Sequence, residues 1–182
     1  MRIAIVGAQN TGKSTFLSDL LKEFPSYTTP KETYRDLVVQ KGLKINQETG
    51  NDSQKAIRDF LWEQIEQNGE ENIFFDRSII DNYIYTVLAH ERGAVSRELV
   101  DETHEMMLAS FDLLDRLFFI PTAVSVRLSE DQLRDIDTKF IDLTNHRFIA
   151  TLLEASHKSD IAIDVIAGTR EERVKAAKKV IA

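Results

Sequence analysis

Five short apolar stretches punctuate the chain, at about residues 2–6, 26–30, 72–76, 117–121 and 161–166. Each is uniformly hydrophobic rather than alternating, which is the pattern of a strand covered on both faces. Between them, apolar positions recur at helical spacing and predict helices over roughly 13–24, 32–41, 52–68, 79–92, 97–115, 138–157 and 170–181. Strand alternating with helix predicts an α/β fold: a doubly wound, five-stranded parallel sheet with helices on both faces and ligands at the carboxyl ends of the strands. Pro25 and Pro30 flank the second strand and Pro121 ends the fourth. No repeat, low-complexity tract or linker divides the sequence, so one domain is expected over residues 1–182.

The helices near 52–68 and 97–115 exceed the minimal strand–helix alternation. One carries Ala56, Ile57, Phe60, Leu61 and Ile65 on a face with Trp62 beside it; the other carries Met106, Met107, Ala109, Leu113 and Leu114. Such stripes pack into a core, or stand over the sheet and wall a second pocket. Trp62 reads as a core anchor or a surface for stacking.

Composition narrows the setting. With 42% hydrophobic and 29% charged residues, the chain has the balance of an ordinary soluble globular protein. No apolar run approaches the ~18 residues that a membrane span needs, and the first residues enter a strand at once, so no secretory leader is expected. Cysteine is absent, which excludes disulfides and Cys-based metal sites. A cytoplasmic setting is the expectation. A net charge of −7 argues against broad attachment to nucleic acid or anionic membrane. The basic cluster Arg170, Arg173, Lys175, Lys178 and Lys179 is interleaved with Glu171 and Glu172 and reads as a solvated helix face.

The most specific chemistry follows the first strand. Gly7-Ala8-Gln9-Asn10-Thr11-Gly12-Lys13-Ser14-Thr15 spells the phosphate-loop pattern G-x-x-x-x-G-K-[ST] between a strand and a helix. In that context main-chain N–H groups from Asn10 to Thr15 can surround phosphate oxygens at the positive end of the helix. Gly7 and Gly12 let the backbone approach the ligand. Lys13 is placed to reach the β- and γ-phosphates and the Ser14 hydroxyl to ligate Mg²⁺. The expected ligands are therefore ATP, or another nucleoside triphosphate, and Mg²⁺.

Two further elements sit at strand ends. Asn72 to Ser78 is a strand finishing in Asp76 and Arg77. Asp76 can hold the metal shell or accept a hydroxyl proton, or else merely cap a helix. Arg77 can orient an anionic substrate. After the second strand, Glu32 can act as a general base, or close a capping box with Thr29. His90, His104, His146 and His157 show no metal-ligand spacing.

Together these residues resemble the P-loop nucleoside and nucleotide kinases, and more closely the AAA-domain kinase/ATPase group that includes the ribosylnicotinamide-kinase domain of NadR. The resemblance covers nearly the whole chain. It rests on the phosphate loop, on Glu32 and Arg35 in a Glu-x-x-Arg element, and on Asp76, Arg77 and Asp81 in the run Asp76 to Tyr85. The final Ile163 to Val174 segment also looks like the family's last strand and helix, where the loop lies near the adenine. The resemblance implies a P-loop NTPase three-layer αβα sandwich, with Glu32, Arg35, Arg77 and Asp81 toward an acceptor. It also implies a mobile lid at about 122–137, with Arg127 and Arg134 closing over the transferred phosphoryl group. Those two arginines read equally as surface partners of Glu130, Asp131 or Asp135, and the chain has Ser125-Val126 where related lids carry Asp-Gly. The expected activity is phosphoryl transfer to a small nucleoside-like or nucleotide-like acceptor. Its rivals are an ATPase or nucleotide switch, and an end kinase for nucleic acid, which the net acidity disfavours.

Overall fold

The computed structural model describes residues 1–122 and 137–181. Strands β1 (Arg2–Val6), β2 (Ile73–Asp76), β3 (Arg116–Phe119) and β4 (Ala162–Val165) form a sheet in the order β2-β1-β3-β4, with every pairing parallel. The helices are α1 (Lys13–Glu23), α2 (Tyr34–Lys41), α3 (Asn51–Gln67), α4 (Ile79–Glu91), α5 (Arg97–Phe111), α6 (Thr138–Lys158) and α7 (Arg170–Ile181), with a 3₁₀ turn at Asn46–Glu48.

The uniform apolar strands are explained by burial on both sides. Ile3 and Ile5 of β1, Phe74 of β2 and Phe118 of β3 pack with Phe16 and Leu20 of α1 and Ala177 of α7. Their sequence neighbours Ala4, Val6, Ile73, Phe75, Leu117 and Phe119 face the other way, onto α2 to α6. This is the expected three-layer αβα sandwich with helices on both faces. The extra helices α3 and α5 contribute Ile57, Leu61, Ile65, Met107 and Phe111 to the larger core, with Trp62 half-buried against it. No helix among the described residues is long and apolar enough to cross a membrane.

Three expectations are corrected. The sheet has four strands rather than five, because residues 26–30 contribute one bridge, Thr28 to Ile73, on the outer edge of β2. Tyr27 turns its N–H back to Phe24, and the flanking prolines have none to give, so only Thr28 pairs with its neighbour. The capping box at α2 is built from Thr33 and Asp36, not Thr29 and Glu32. Asp36 N donates to Thr33 Oγ1 at 3.2 Å and Thr33 N donates to Asp36 at 2.8 Å, so the helix starts at Tyr34. Finally, Arg173 is buried rather than solvated. The expected lid, with Arg127 and Arg134, lies outside the described residues apart from its end positions Thr122 and Asp137.

Candidate active site

Parallel strands bring their carboxyl ends to one edge, and register decides which residues meet there. Ile5 of β1 pairs with Asp76, and Arg77 N continues the ladder by donating to Ile5 O at 3.0 Å. The loop that leaves β1 therefore starts beside the Asp76–Arg77 pair. Gly7, at φ 146°, lies so close to β3's exit that an added Cβ would stand 2.4 Å from Ile120 O. Gly12, at φ 85°, is the N-cap of α1 and bears no side chain to close off the helix end. The N–H groups of Gly12, Lys13, Ser14 and Thr15 meet no acceptor among the described residues, as expected at a helix start without a side-chain cap. Asn10 also takes a positive φ, of 61°, which a short amide side chain tolerates.

Lys13 is buried, and its ammonium donates to Gly7 O and Ala8 O, each at 2.6 Å. Burial, followed by repulsion from Arg77, pushes its pKa down to about 7 against the attraction of Asp81 and Asp76. Ser14 is exposed, and its hydroxyl donates to Asp76 Oδ2 at 3.4 Å, so the two expected metal ligands stand together. A hydroxyl and a carboxylate are hard oxygen donors suited to Mg²⁺, which usually completes its shell with water and phosphate. No group of three or more His, Cys, Asp or Glu side chains that could hold a metal ion occurs among the described residues.

Behind the loop lies a polar cluster. Arg77 takes φ 84°, a conformation rare for a side-chain-bearing residue and often found where function holds it. Its guanidinium sits over Tyr34 at 4.7 Å and over Tyr85 at 5.8 Å from the ring centres, and donates to Asp81 Oδ1 at 3.4 Å. Asp81 is 1% exposed and accepts from Ser78 N at 3.1 Å and Gly7 N at 3.4 Å. Burial pushes its carboxyl up to about 6, opposed by Arg77 and then Lys13. Asp81 thus stands as a strut between the start of α4 and the phosphate loop. Tyr85 reinforces that strut: its hydroxyl donates to Gln9 Oε1 and accepts from Gln9 N at 3.2 Å. Burial raises its phenol to about 12 and keeps it protonated.

This cluster faces a small cavity of about 20 Å³ between α2, α3 and α4, walled by Ile45, Ile57 and Leu61 and edged by Tyr34, Gln54, Arg77, Asp81, Asn82 and Tyr85. Asn82 Nδ2 donates to Gln54 O at 3.0 Å and to Gln54 Oε1 at 2.7 Å. The main-chain carbonyl can only accept, so the amide's orientation is fixed and Asn82 Oδ1 is left buried with no partner among the described residues.

Arg35 is half-buried, near enough to Lys13 and Tyr34 to influence both electrostatically. Glu32 is exposed and lines a separate open cleft with Thr28, Phe60, Glu63 and Gln64. The structure thus gathers Lys13, Ser14, Asp76, Arg77 and Asp81, and sets Glu32 apart from the cavity that Arg77 edges. Tyr34, Gln54, Asn82 and Tyr85 were not singled out from sequence. For Tyr85 a signal existed, since Asp81 and Tyr85 lie four residues apart and so share one face of α4.

Fold and loop together define a P-loop α/β protein. The sequence matches the family described as an AAA domain over residues 2–173, and the chain belongs to that family. No curated protein matches it. Among solved structures it is similar to deoxyadenosine kinase from M. mycoides, seen with the products dCMP and a flexible dCDP. There the TM-score is 0.74 at 17% identity, covering 100% of this chain and 98% of that one. It is also similar to NadR in complex with NR, at TM-score 0.72 and 15% identity over 97% of this chain and 50% of that one, so it spans about half of NadR's length. Thymidylate kinase from Candida albicans gives 0.66 at 17% identity, covering 98% and 89%. At such identities the likeness shows the fold, which is that of the P-loop nucleoside and nucleotide kinases.

Proposed function

We propose that the chain is a phosphotransferase that moves the γ-phosphoryl group of ATP to a nucleoside-like or nucleotide-like acceptor, with Mg²⁺. One observation carries the reading. The phosphate loop opens beside a second, small recess lined by aromatic and hydrogen-bonding side chains, with Arg77 on its rim next to Asp76. A nucleotide switch needs only the loop; converging stacking and hydrogen-bonding groups are what a second, ring-bearing substrate requires, and at about 20 Å³ the recess would widen to admit it.

The donor's phosphates would lie on the N–H groups of Gly12 to Thr15, with Lys13 leaving the Gly7 and Ala8 carbonyls for the β- and γ-oxygens. Its base has room in the cleft of about 240 Å³ between α1 and α7, lined by Thr15, Phe16, Asp19 and Gly168. Ser14 would hold the magnesium directly and Asp76 would hold it through water, the ion supplying neutralising charge for the triphosphate. In the second pocket Ile45, Ile57 and Leu61 would cover the acceptor's ring, and Asn82 Oδ1 would accept from a ring N–H or amino group. Arg77 would steer the acceptor, held flat by Tyr34 and Tyr85. The acceptor hydroxyl oxygen bonds to the γ-phosphorus as the bond to the β-bridging oxygen breaks. ADP leaves, and the hydroxyl proton passes to a carboxylate, for which the half-buried Asp76 is better sited than the exposed Glu32.

The test is ADP formation with ATP and Mg²⁺ over a panel of nucleosides, nucleotides and nicotinamide riboside. A kinase turns over only with its acceptor and yields a phosphorylated product. ADP formation at one rate throughout would instead make the chain an ATPase, and no turnover in Lys13→Ala is expected in either case.

A further inference from the structure

Among the described residues two buried arginines are not used by the chemistry above: Arg58, which pairs with Asp59 and Glu102, and Arg173, 7% exposed on α7. The second is the unusual one. It pairs with no carboxylate among the described residues, and burial alone lowers its pKa. Its Nη1 donates to Thr11 O at 2.8 Å and its Nε to Gly168 O at 3.0 Å. A buried cation resting on two carbonyls is costly compared with an apolar residue of the same length. The carbonyl it grips shows what that placement does.

Thr11 O and Gly12 N–H belong to one planar unit, and the described peptides are trans, so the two groups point opposite ways. With the carbonyl drawn outward to α7, the Gly12 N–H is turned to the other side of the loop, where no described residue accepts it. Glycine occupies both signs of φ, so this peptide is free to flip unless something holds it. Arg173 also stands 3.3 Å from where a Cβ on Gly12 would lie, so it packs on the hinge of that flip.

We propose that Arg173 is a positioning residue for the phosphate loop: by holding the Thr11 carbonyl it locks the Thr11–Gly12 peptide with its N–H toward a bound phosphate. This rests on the reading of the loop as a phosphate cradle. It ties anion binding to α7, a helix far away in sequence.

The probe is inorganic tripolyphosphate, which carries no base to engage the α1–α7 cleft, followed by calorimetry and amide NMR of the full chain. In the wild type, binding shifts the Gly12 amide proton downfield. In Arg173→Met, affinity falls at least about tenfold, as for a lost hydrogen bond to a charged group, and the Gly12 shift is lost. Arg173→Lys keeps the charge but cannot hold both carbonyls in one plane, and at least half of the shift is lost. A wild-type Gly12 shift in Arg173→Met, whatever its affinity, overturns the proposal, as does undiminished affinity. Should that variant fail to fold, a full shift in Arg173→Lys overturns it equally. No binding by the wild type defeats the cradle reading itself, and so is told apart.

Discussion

Replacing Gly7 by alanine tests how tightly the phosphate loop is set into the sheet. The added methyl carbon would lie 2.4 Å from Ile120 O and 3.3 Å from Ile120 C. A carbon–oxygen contact normally closes at about 3.3 Å, so the deficit is roughly 0.9 Å. It has no flexible side chain to absorb it: Ile120 N donates to Val6 O at 2.9 Å, and retreat of Ile120 breaks that bond. At φ 146° the residue also sits where non-glycine backbones cost about 1–3 kcal/mol. Overpacking adds about 1–3 kcal/mol, so Gly7→Ala should destabilise by about 2–6 kcal/mol, against a typical total of about 5–15 kcal/mol. Gly42→Ala is the control. Gly42 has φ 59° with nothing within 4 Å of a built Cβ, so only the left-handed conformation is penalised, by about 1–2 kcal/mol. Guanidinium unfolding followed by circular dichroism gives both values, provided the slopes agree. If Gly7→Ala proves no more destabilising than Gly42→Ala, the close seating of the loop on β3 is wrong.

Arg77→Lys keeps the charge but loses the flat stacking on Tyr34 and Tyr85. The acceptor KM should rise about tenfold with the ATP KM within about twofold, and a change in the ATP KM alone would place Arg77 on the donor side. Asn82→Ala removes the support under Gln54 O and should cost about 1–3 kcal/mol in urea unfolding while raising the acceptor KM; an unchanged KM would take Asn82 out of the acceptor pocket. Asp81 has a folded-state pKa raised to about 6 from a reference of 3.8, so the native state holds the extra proton between those values. Its contribution is therefore most favourable near pH 4 and becomes a penalty as pH climbs through about 6. The stability of Asp81→Asn relative to wild type should accordingly improve from about pH 4 to about pH 6 and level off above; parallel curves would show that the carboxyl is not perturbed.

The layered fold was legible because both sheet faces are buried, which leaves strands with no polar beat. Where reading and structure part, local backbone chemistry decides. The stretch at 26–30 has a strand's composition, yet Pro25 and Pro30 leave it only Thr28 to pair with. α5 stops at Phe111 although Leu113 and Leu114 continue the apolar pattern; Leu113 and Leu114 donate to Ser110 O and Phe111 O in successive turns and still reach the core. Hydrophobic pattern reports burial, and burial outlasts the helix.

The site divides along a different line. The phosphate loop is contiguous and its geometry local, so spelling sufficed. Gln54 and Asn82 meet only because α3 packs on α4, a contact that no spacing within either helix encodes. Arg173 was misread for an instructive reason. Flanked by Glu171 and Glu172, it looks like one charge among many, yet Ala177 one turn later is wholly buried and Val180 half-buried beyond it. A residue four places before a core alanine must face the same way. The helix period therefore carried the information that the charge pattern hid. A guanidinium turned inward has to find acceptors, and the ones within its reach are carbonyls of the phosphate loop and of the turn that starts α7. Burial at position 173 and orientation of the Thr11–Gly12 peptide are thus one constraint seen from two ends of the chain.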